Sequence, residues 1–232
     1  TTYGTPFISG KDSMFNDFSG YDKEGKKIKI SVPPTLLISS LSVIEDVKKV
    51  ATIDAKFAGD IVYIIGETKN ELGGSEYFDM REKGSIGSGV PQVNAEKALD
   101  LYRIFKKAID NNLIASSTSV NLGGLLTAAA KTAIAGQLGI EIDISKVPVS
   151  EDLGYSPRAD FIMFSETQSR ILVTINPKNK ESFEKHFSKH IFKEIGVVTE
   201  EKSLVVKTGS KTLIDTPLIL LEESYKQPFS NY

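Results

Sequence analysis

The stretch Ser9-Gly10-Lys11-Asp12-Ser13-Met14 follows two β-type residues, Phe7 and Ile8, close to the start of the chain. A turn of small residues here carries an ammonium, a carboxylate and a hydroxyl side by side. Phosphate and magnesium sites are built from those parts: backbone N–H groups and lysine hold phosphate oxygens, a carboxylate takes the metal, and a hydroxyl takes substrate or ion. The spacing is not that of a P-loop, which requires G-x-x-x-x-G-K-[ST]. A polar turn closing a strand accounts for the same residues.

Three glycine-bearing stretches lie further on. Leu72-Gly73-Gly74-Ser75 follows a β-type run by one short loop, and its paired glycines either pack backbone on backbone or expose amides to a ligand. Residues 84–89, GSIGSG, have the look of a phosphate cradle but lead into Pro91 rather than a helix, which reads as a flexible loop. Gly123-Gly124 opens an Ala-rich helical pattern, where free N–H groups and the helix dipole favour an anion. Close packing of helix on sheet explains that pair equally well. Glu166 and Arg170, four residues apart between two apolar runs, suit an ion pair bracing a turn.

His186, His190 and Glu194 follow at i, i+4 and i+8, a spacing that on one helix could grip a divalent metal. Their neighbours Lys185, Lys189 and Lys193 would repel a cation, so a solvated helix face fits better. G-x-S-x-G and H-E-x-x-H are absent and there is no cysteine. No catalytic residue is therefore assignable from spacing, and disulfides, thiolate metal sites and a Cys nucleophile are excluded.

Several elements must position these residues. Asp22-Lys23-Glu24-Gly25 is a hairpin turn leading into KKIKISV, which alternates lysine with Ile28 and Ile30. Beyond Pro33-Pro34, TLLISSLSV (35–43) reads as a buried strand, and a boundary falls between about 44 and 58. This gives a short unit over 1–50 and a larger one over 51–232. In the larger unit DIVYII (60–65), FIMF (161–164), RILVTI (170–175), SLVVK (203–207) and TLI (212–214) read as strands. Helical spacing runs over 95–109, with Asn94 as N-cap, and over about 124–138; a lysine-rich helix is expected near 178–194. Such mixing predicts an α+β or α/β fold.

The 232 residues hold 40% hydrophobic and 25% charged side chains, and 28 basic against 30 acidic residues give a net charge of −2. That composition suits a soluble globular chain with no nucleic-acid or membrane-surface partner. No apolar run reaches the roughly 20 residues of a membrane helix, and a cytoplasmic setting fits.

Taken in order, TPFISGKDSMFNDF, VPPTLLISS, GDIVYIIGETKNELGGSEYF, GVPQVNAEKALDLYRIFKKAIDNNLIASS, NLGGLLTAAAKTAIAGQLGIEIDIS and FIMFSETQSRILVTI resemble the phosphoribosylformylglycinamidine synthases. More narrowly, they resemble the second half of the synthetase portion. The wider AIR synthase-related superfamily also holds aminoimidazole ribonucleotide and selenophosphate synthetases. The resemblance spans Gly4 to about Ile175.

It implies an α+β fold: an AIR synthase-like C-terminal domain, a mixed sheet packed with helices, preceded by the last strands of the β-rich N-terminal domain. The full enzyme would convert formylglycinamide ribonucleotide to the amidine with ATP, Mg²⁺ and glutamine-derived ammonia. The chain would then be a fragment, inactive alone, whose partners are the missing N-terminal synthetase half and a glutaminase domain or subunit. An exposed hairpin edge could also pair with a second copy as a homodimer. A non-catalytic scaffold or interaction domain of the same superfamily is the alternative.

On the same resemblance Gly10 and Lys11 contact nucleotide and Ser13 contacts substrate. An ammonium cannot ligate Mg²⁺, so Lys11 would neutralise phosphate and Asp12 would take the metal. Where the family reads H-D-x-S-D-G-G, this chain has Thr118-Ser119-Val120-Asn121-Leu122-Gly123-Gly124. The glycines remain, but Ser119 and Leu122 stand at the two acidic positions, which favours the scaffold reading of this half.

Overall fold

The computed structural model describes residues 1–11, 17–33, 35–81, 84–154 and 157–230. They form two compact units, Thr1–Val47 and Lys48–Tyr232.

The first unit holds one hairpin, β1 (Phe18–Tyr21) against β2 (Lys27–Ile30), antiparallel with Phe18 opposite Ile30 and Tyr21 opposite Lys27. The turn closes because the carboxylate of Asp22 accepts the N–H groups of Glu24 and Lys26, at 3.1 and 2.8 Å. Gly25 supplies the positive φ, +78°, that the last turn position demands. The buried strand expected over 35–43 is not formed. Leu36, Leu37 and Leu41 are about 85% exposed and Val43 is 91% exposed, with no strand assigned from Thr35 to Ile44. A strand is stabilised by a neighbouring ladder and an apolar face, and within this unit none is offered to it.

The second unit is a seven-stranded mixed sheet flanked by helices. Its strands, β3 (Ile61–Ile65), β4 (Ser116–Val120), β5 (Gly139–Asp143), β6 (Arg170–Ile175), β7 (Phe192–Thr199), β8 (Ser203–Thr208) and β9 (Lys211–Pro217), run in the order β4-β6-β3-β7-β5-β8-β9. Only β5 and β8 pair in parallel. The period-two geometry of a strand divides β3 cleanly. Val62 and Ile64 enter one core with Leu172, Ile140, Ile142 and the Ala-rich face of helix 124–136, including Ala128, Ala129 and Ala133. Tyr63 and Ile65 enter the other, with Ile171, Val173, Phe183 and Phe187. Helices therefore cover both faces of an α+β sheet.

The helices are α1 (Glu76–Arg81), α2 (Ala95–Asp110), α3 (Gly124–Gly136), α4 (Ala159–Phe164), α5 (Lys180–His186) and α6 (Leu218–Lys226). Asn94 caps α2 through its side chain, which accepts the N–H of Lys97. Two expectations are corrected. FIMF lies in α4 rather than a strand: four apolar residues do not distinguish the two, and Asp160 in the first turn starts a helix whose Ile162 and Met163 are buried. The lysine-rich helix stops at His186, and the chain returns as β7, drawn into the sheet between β3 and β5. Tertiary pairing overrides local propensity there. No helix among the described residues is long and apolar enough to cross a membrane.

Candidate functional site

Three glycine-bearing stretches of the second unit converge on one buried polar cluster. The segment leaving β3 and the segment entering β6 are laced together. Lys69 donates its N–H to Thr167 Oγ1 at 3.0 Å, Ser165 Oγ donates to the carbonyl of Lys69 at 2.8 Å, and Glu166 N–H donates to the carbonyl of Glu71 at 3.1 Å. Loop 84–90 closes over the first of these segments, with Gly73 donating to the carbonyl of Gly89 at 3.0 Å and Gly74 to that of Ile86 at 2.6 Å. A Cβ on Gly73 would stand 2.8 Å from backbone atoms of Ser88 and Val90. The Gly73–Gly74 pair therefore packs backbone on backbone, its amides spent on loop 84–90. That loop is docked rather than free.

Gly123 and Gly124 form the turn that opens α3, with φ of +77° and +68°. A Cβ on Gly124 would lie 2.6–2.7 Å from the backbone of Met163 and Phe164, so close packing against α4 requires glycine there. The Gly123 N–H points at the Glu166 carboxylate, 2.8 Å from Oε1, and the same oxygen accepts the N–H of Glu76 at 3.0 Å. An anion does sit at this helix start, supplied by the chain itself.

Arg170, 1% exposed, opens β6 four residues after Glu166. Its Nη1 donates to Thr68 Oγ1 at 2.8 Å, its Nε to the carbonyl of Thr167 at 3.1 Å, and its Nη2 to that of Ser165. The expected Glu166–Arg170 ion pair is not a contact: among the described residues no charged atoms of the two come within 4 Å. Burial pushes the guanidinium down to about 10, while the negative charges of Glu71 and Glu166 oppose the shift, so it stays charged at neutral pH. Sequence reading passed over Glu71, whose Oε1 accepts the N–H of Gln92 at 3.0 Å and whose buried Oε2 has no partner. The one available signal was a carboxylate two residues ahead of the glycine pair.

The remaining candidates are scattered. Gly10 and Lys11 are exposed residues of the first unit outside regular structure, and a Cβ on Gly10 would meet nothing within 4 Å. Asp12 and Ser13 lie outside the described residues. His186, His190 and Glu194 lie on α5, the following turn and β7, not on one helix face, and they bond separately. His186 Nε2 meets the carbonyl of Ile104 at 2.9 Å, His190 faces Asp100 at 3.8 Å, and Glu194 pairs with Lys180 at 2.5 Å. Ser119 is exposed on edge strand β4, its Oγ 3.4 Å from Asn121 Nδ2, and Leu122 is 60% exposed. These two offer no carboxylate to Mg²⁺, and no group of three or more metal-ligating residues occurs among the described residues. The residues of the α3 turn do not fit a magnesium site.

The model of the AIR synthase related protein family, C-terminal domain, matches residues 58–209. Subunit PurL of phosphoribosylformylglycinamidine synthase from Caldanaerobacter subterraneus subsp. tengcongensis is 37% identical over 227 residues, which are 97% of this chain and 28% of that protein. The chain thus spans under a third of the length of the curated relatives it matches. Among solved structures, T. maritima PurL complexed with FGAR superposes with a TM-score of 0.67 at 20% identity, over 75% of this chain and 30% of that one. T. maritima PurL complexed with ATP gives 0.60 at 21%, over 75% and 27%. At such identity these structures speak for the fold alone. Since the family model covers most of the second unit, from the residues before β3 to the end of β8, the chain belongs to the AIR synthase related proteins and carries their C-terminal domain.

Proposed function

We propose that this chain is part of an ATP-dependent carbon–nitrogen ligase of purine biosynthesis that converts formylglycinamide ribonucleotide and glutamine to the amidine. The observation that carries this reading is the 37% identity to a phosphoribosylformylglycinamidine synthase subunit, sustained along 97% of the chain. In that reaction ATP phosphorylates the amide oxygen, and ammonia then displaces phosphate from the activated carbon. Little of this needs covalent help from the protein; positioning and charge stabilisation carry it.

Within this reading the loop of the first unit is the contributing part. Gly10 and Lys11 hold nucleotide phosphate, Ser13 contacts the substrate, and Asp12 is the one carboxylate of that loop suited to Mg²⁺. The other walls come from the missing N-terminal half of the synthetase, and ammonia from a separate glutaminase in a cytoplasmic setting. Exposed Leu36, Leu37, Leu41 and Val43 support the need for a further synthetase segment, because a β-type run this apolar gains stability only when a partner strand covers it.

The second unit is the scaffold of this ligase. Its Gly123–Gly124 turn is occupied by Glu166, and the positions aligned with metal-binding acids are Ser119 and Leu122. Assay of ATP-dependent amidine formation separates the roles: the 232-residue chain alone should be inactive, and addition of the N-terminal synthetase half with ammonia should give turnover that Lys11→Ala weakens. Turnover by the chain alone, or a reconstituted enzyme indifferent to Lys11→Ala, would defeat the assignment.

A further inference from the structure

The helix α3 begins without any cap of its own. Its N-cap is Gly123, which has no side chain to accept an amide, and no acidic residue occupies its first turn. A thirteen-residue helix so built leaves its N-terminal partial charge uncompensated by its own sequence. The compensation comes from 43 residues downstream, where Glu166 Oε1 takes the Gly123 N–H at 2.8 Å together with the Glu76 N–H at 3.0 Å. Glu166 is only 6% exposed, and its backbone is fixed by the Glu71 carbonyl. Glu71 also keeps a buried, unpartnered carboxylate oxygen in the same cluster.

We propose that Glu166 is a built-in anion that locks the Gly123–Gly124 turn shut: it uses from within the chain the donors an outside phosphate oxygen would need. A phosphate approaching the turn would have to expel a buried carboxylate held by two amides and then sit beside the second carboxylate, Glu71. Among the described residues no carboxylate touches the buried Arg170 guanidinium, and Glu166 is one of the two acids whose charge acts on it from nearby. The turn is a closed structural joint.

The lock is tested on the whole 232-residue chain, independently of any ligase assay, with Glu166→Ala and Glu166→Gln. Each variant should unfold roughly 4–10 °C below the parent, the range expected for losing charge-assisted hydrogen bonds in a chain of this size. Glu166→Ala leaves room for a small anion, so sodium formate or inorganic phosphate should restore its Tm saturably against sodium chloride at matched ionic strength. The parent and Glu166→Gln should show no such response. The Gly123 amide proton should also shift upfield in Glu166→Gln. Failure of Glu166→Ala to fold would move the decision to Glu166→Gln. The proposal is overturned by a Glu166→Gln chain as stable as the parent with an unmoved Gly123 resonance. Equally fatal is a folded Glu166→Ala chain blind to formate and phosphate, or a parent that binds phosphate as the Ala variant does.

Discussion

Arg170 Nη1 donates to Thr68 Oγ1 at 2.8 Å, tying the first residue of β6 to the loop that leaves the adjacent strand β3. The same guanidinium holds the carbonyls of Ser165 and Thr167, so one side chain fixes the corner from which Glu166 reaches the α3 turn. Arg170→Met keeps the volume but leaves three acceptors unpaired and two buried carboxylates without a nearby cation. Urea denaturation should show a loss of about 3–5 kcal/mol, the scale for breaking a buried charge network. Arg170→Lys should recover only part of it, because an ammonium cannot span the fork of acceptors.

Gly124→Ala tests whether that turn is packed as tightly as the geometry says. The new Cβ would meet the Met163 and Phe164 backbone at 2.6–2.7 Å, at a φ of +68° that alanine disfavours. The left-handed strain of about 1–2 kcal/mol and the overpacking of about 1–3 kcal/mol act together, since backbone on both sides leaves little room to yield. Thermal unfolding should show a loss of several degrees. Gly10→Ala is the contrasting substitution, in open space with ordinary φ, and its effect on stability should stay within about 0.5 kcal/mol.

Much of this architecture is readable in the residues themselves. Helix α2 announces itself through the Asn94 cap and its spaced apolar face, and RILVTI, which reads as a strand, forms β6 with all six residues buried. What the residues conceal is decided by partners distant in sequence. Strand β4, SSTSV, is polar and carries no β signal of its own, and it exists because β6 pairs with it. FIMF is too short for its period to choose, and TLLISSLSV has strand chemistry without a ladder to join. The glycine pairs were recognisable as places of close approach, but which amides they spend, and on whom, depends on Glu166 and loop 84–90 reaching them from elsewhere. The role given to Gly10 and Lys11 comes from family resemblance.

Asp60 gives the fold a pH dependence of definite sign. It is 1% exposed with Oδ2 unpartnered, and burial raises its pKa above the ordinary value while a backbone hydrogen bond from the Phe57 turn opposes the rise. The folded state therefore holds this proton more tightly than the unfolded chain does. Its contribution favours folding below the unfolded pKa near 4 and declines as pH rises through the folded value. Asp60→Asn should remove that decline, so the variant should gain stability relative to the parent as pH increases from about 4 to neutrality. Chemical denaturation across that range checks it, and a constant difference between the two proteins would contradict the assignment.

On the proposed ligase reading, the apolar run of the first unit bears on assembly instead of stability. Leu37 and Leu41 are each 86% exposed, so in the isolated chain they bury almost nothing on folding. Leu37→Ser with Leu41→Ser should leave its unfolding midpoint unchanged, since surface substitutions away from any packed feature move stability by about 0.5 kcal/mol or less. If the ligase reading is right, the same pair is buried against the N-terminal half of the synthetase. Each lost leucine would then weaken association by about 1.5–3 kcal/mol, a tenfold or greater rise in Kd per residue. Titration of the purified N-terminal half against the parent and the double variant reads this directly. Equal affinities would mean that the run 35–44 is not the surface that joins the two.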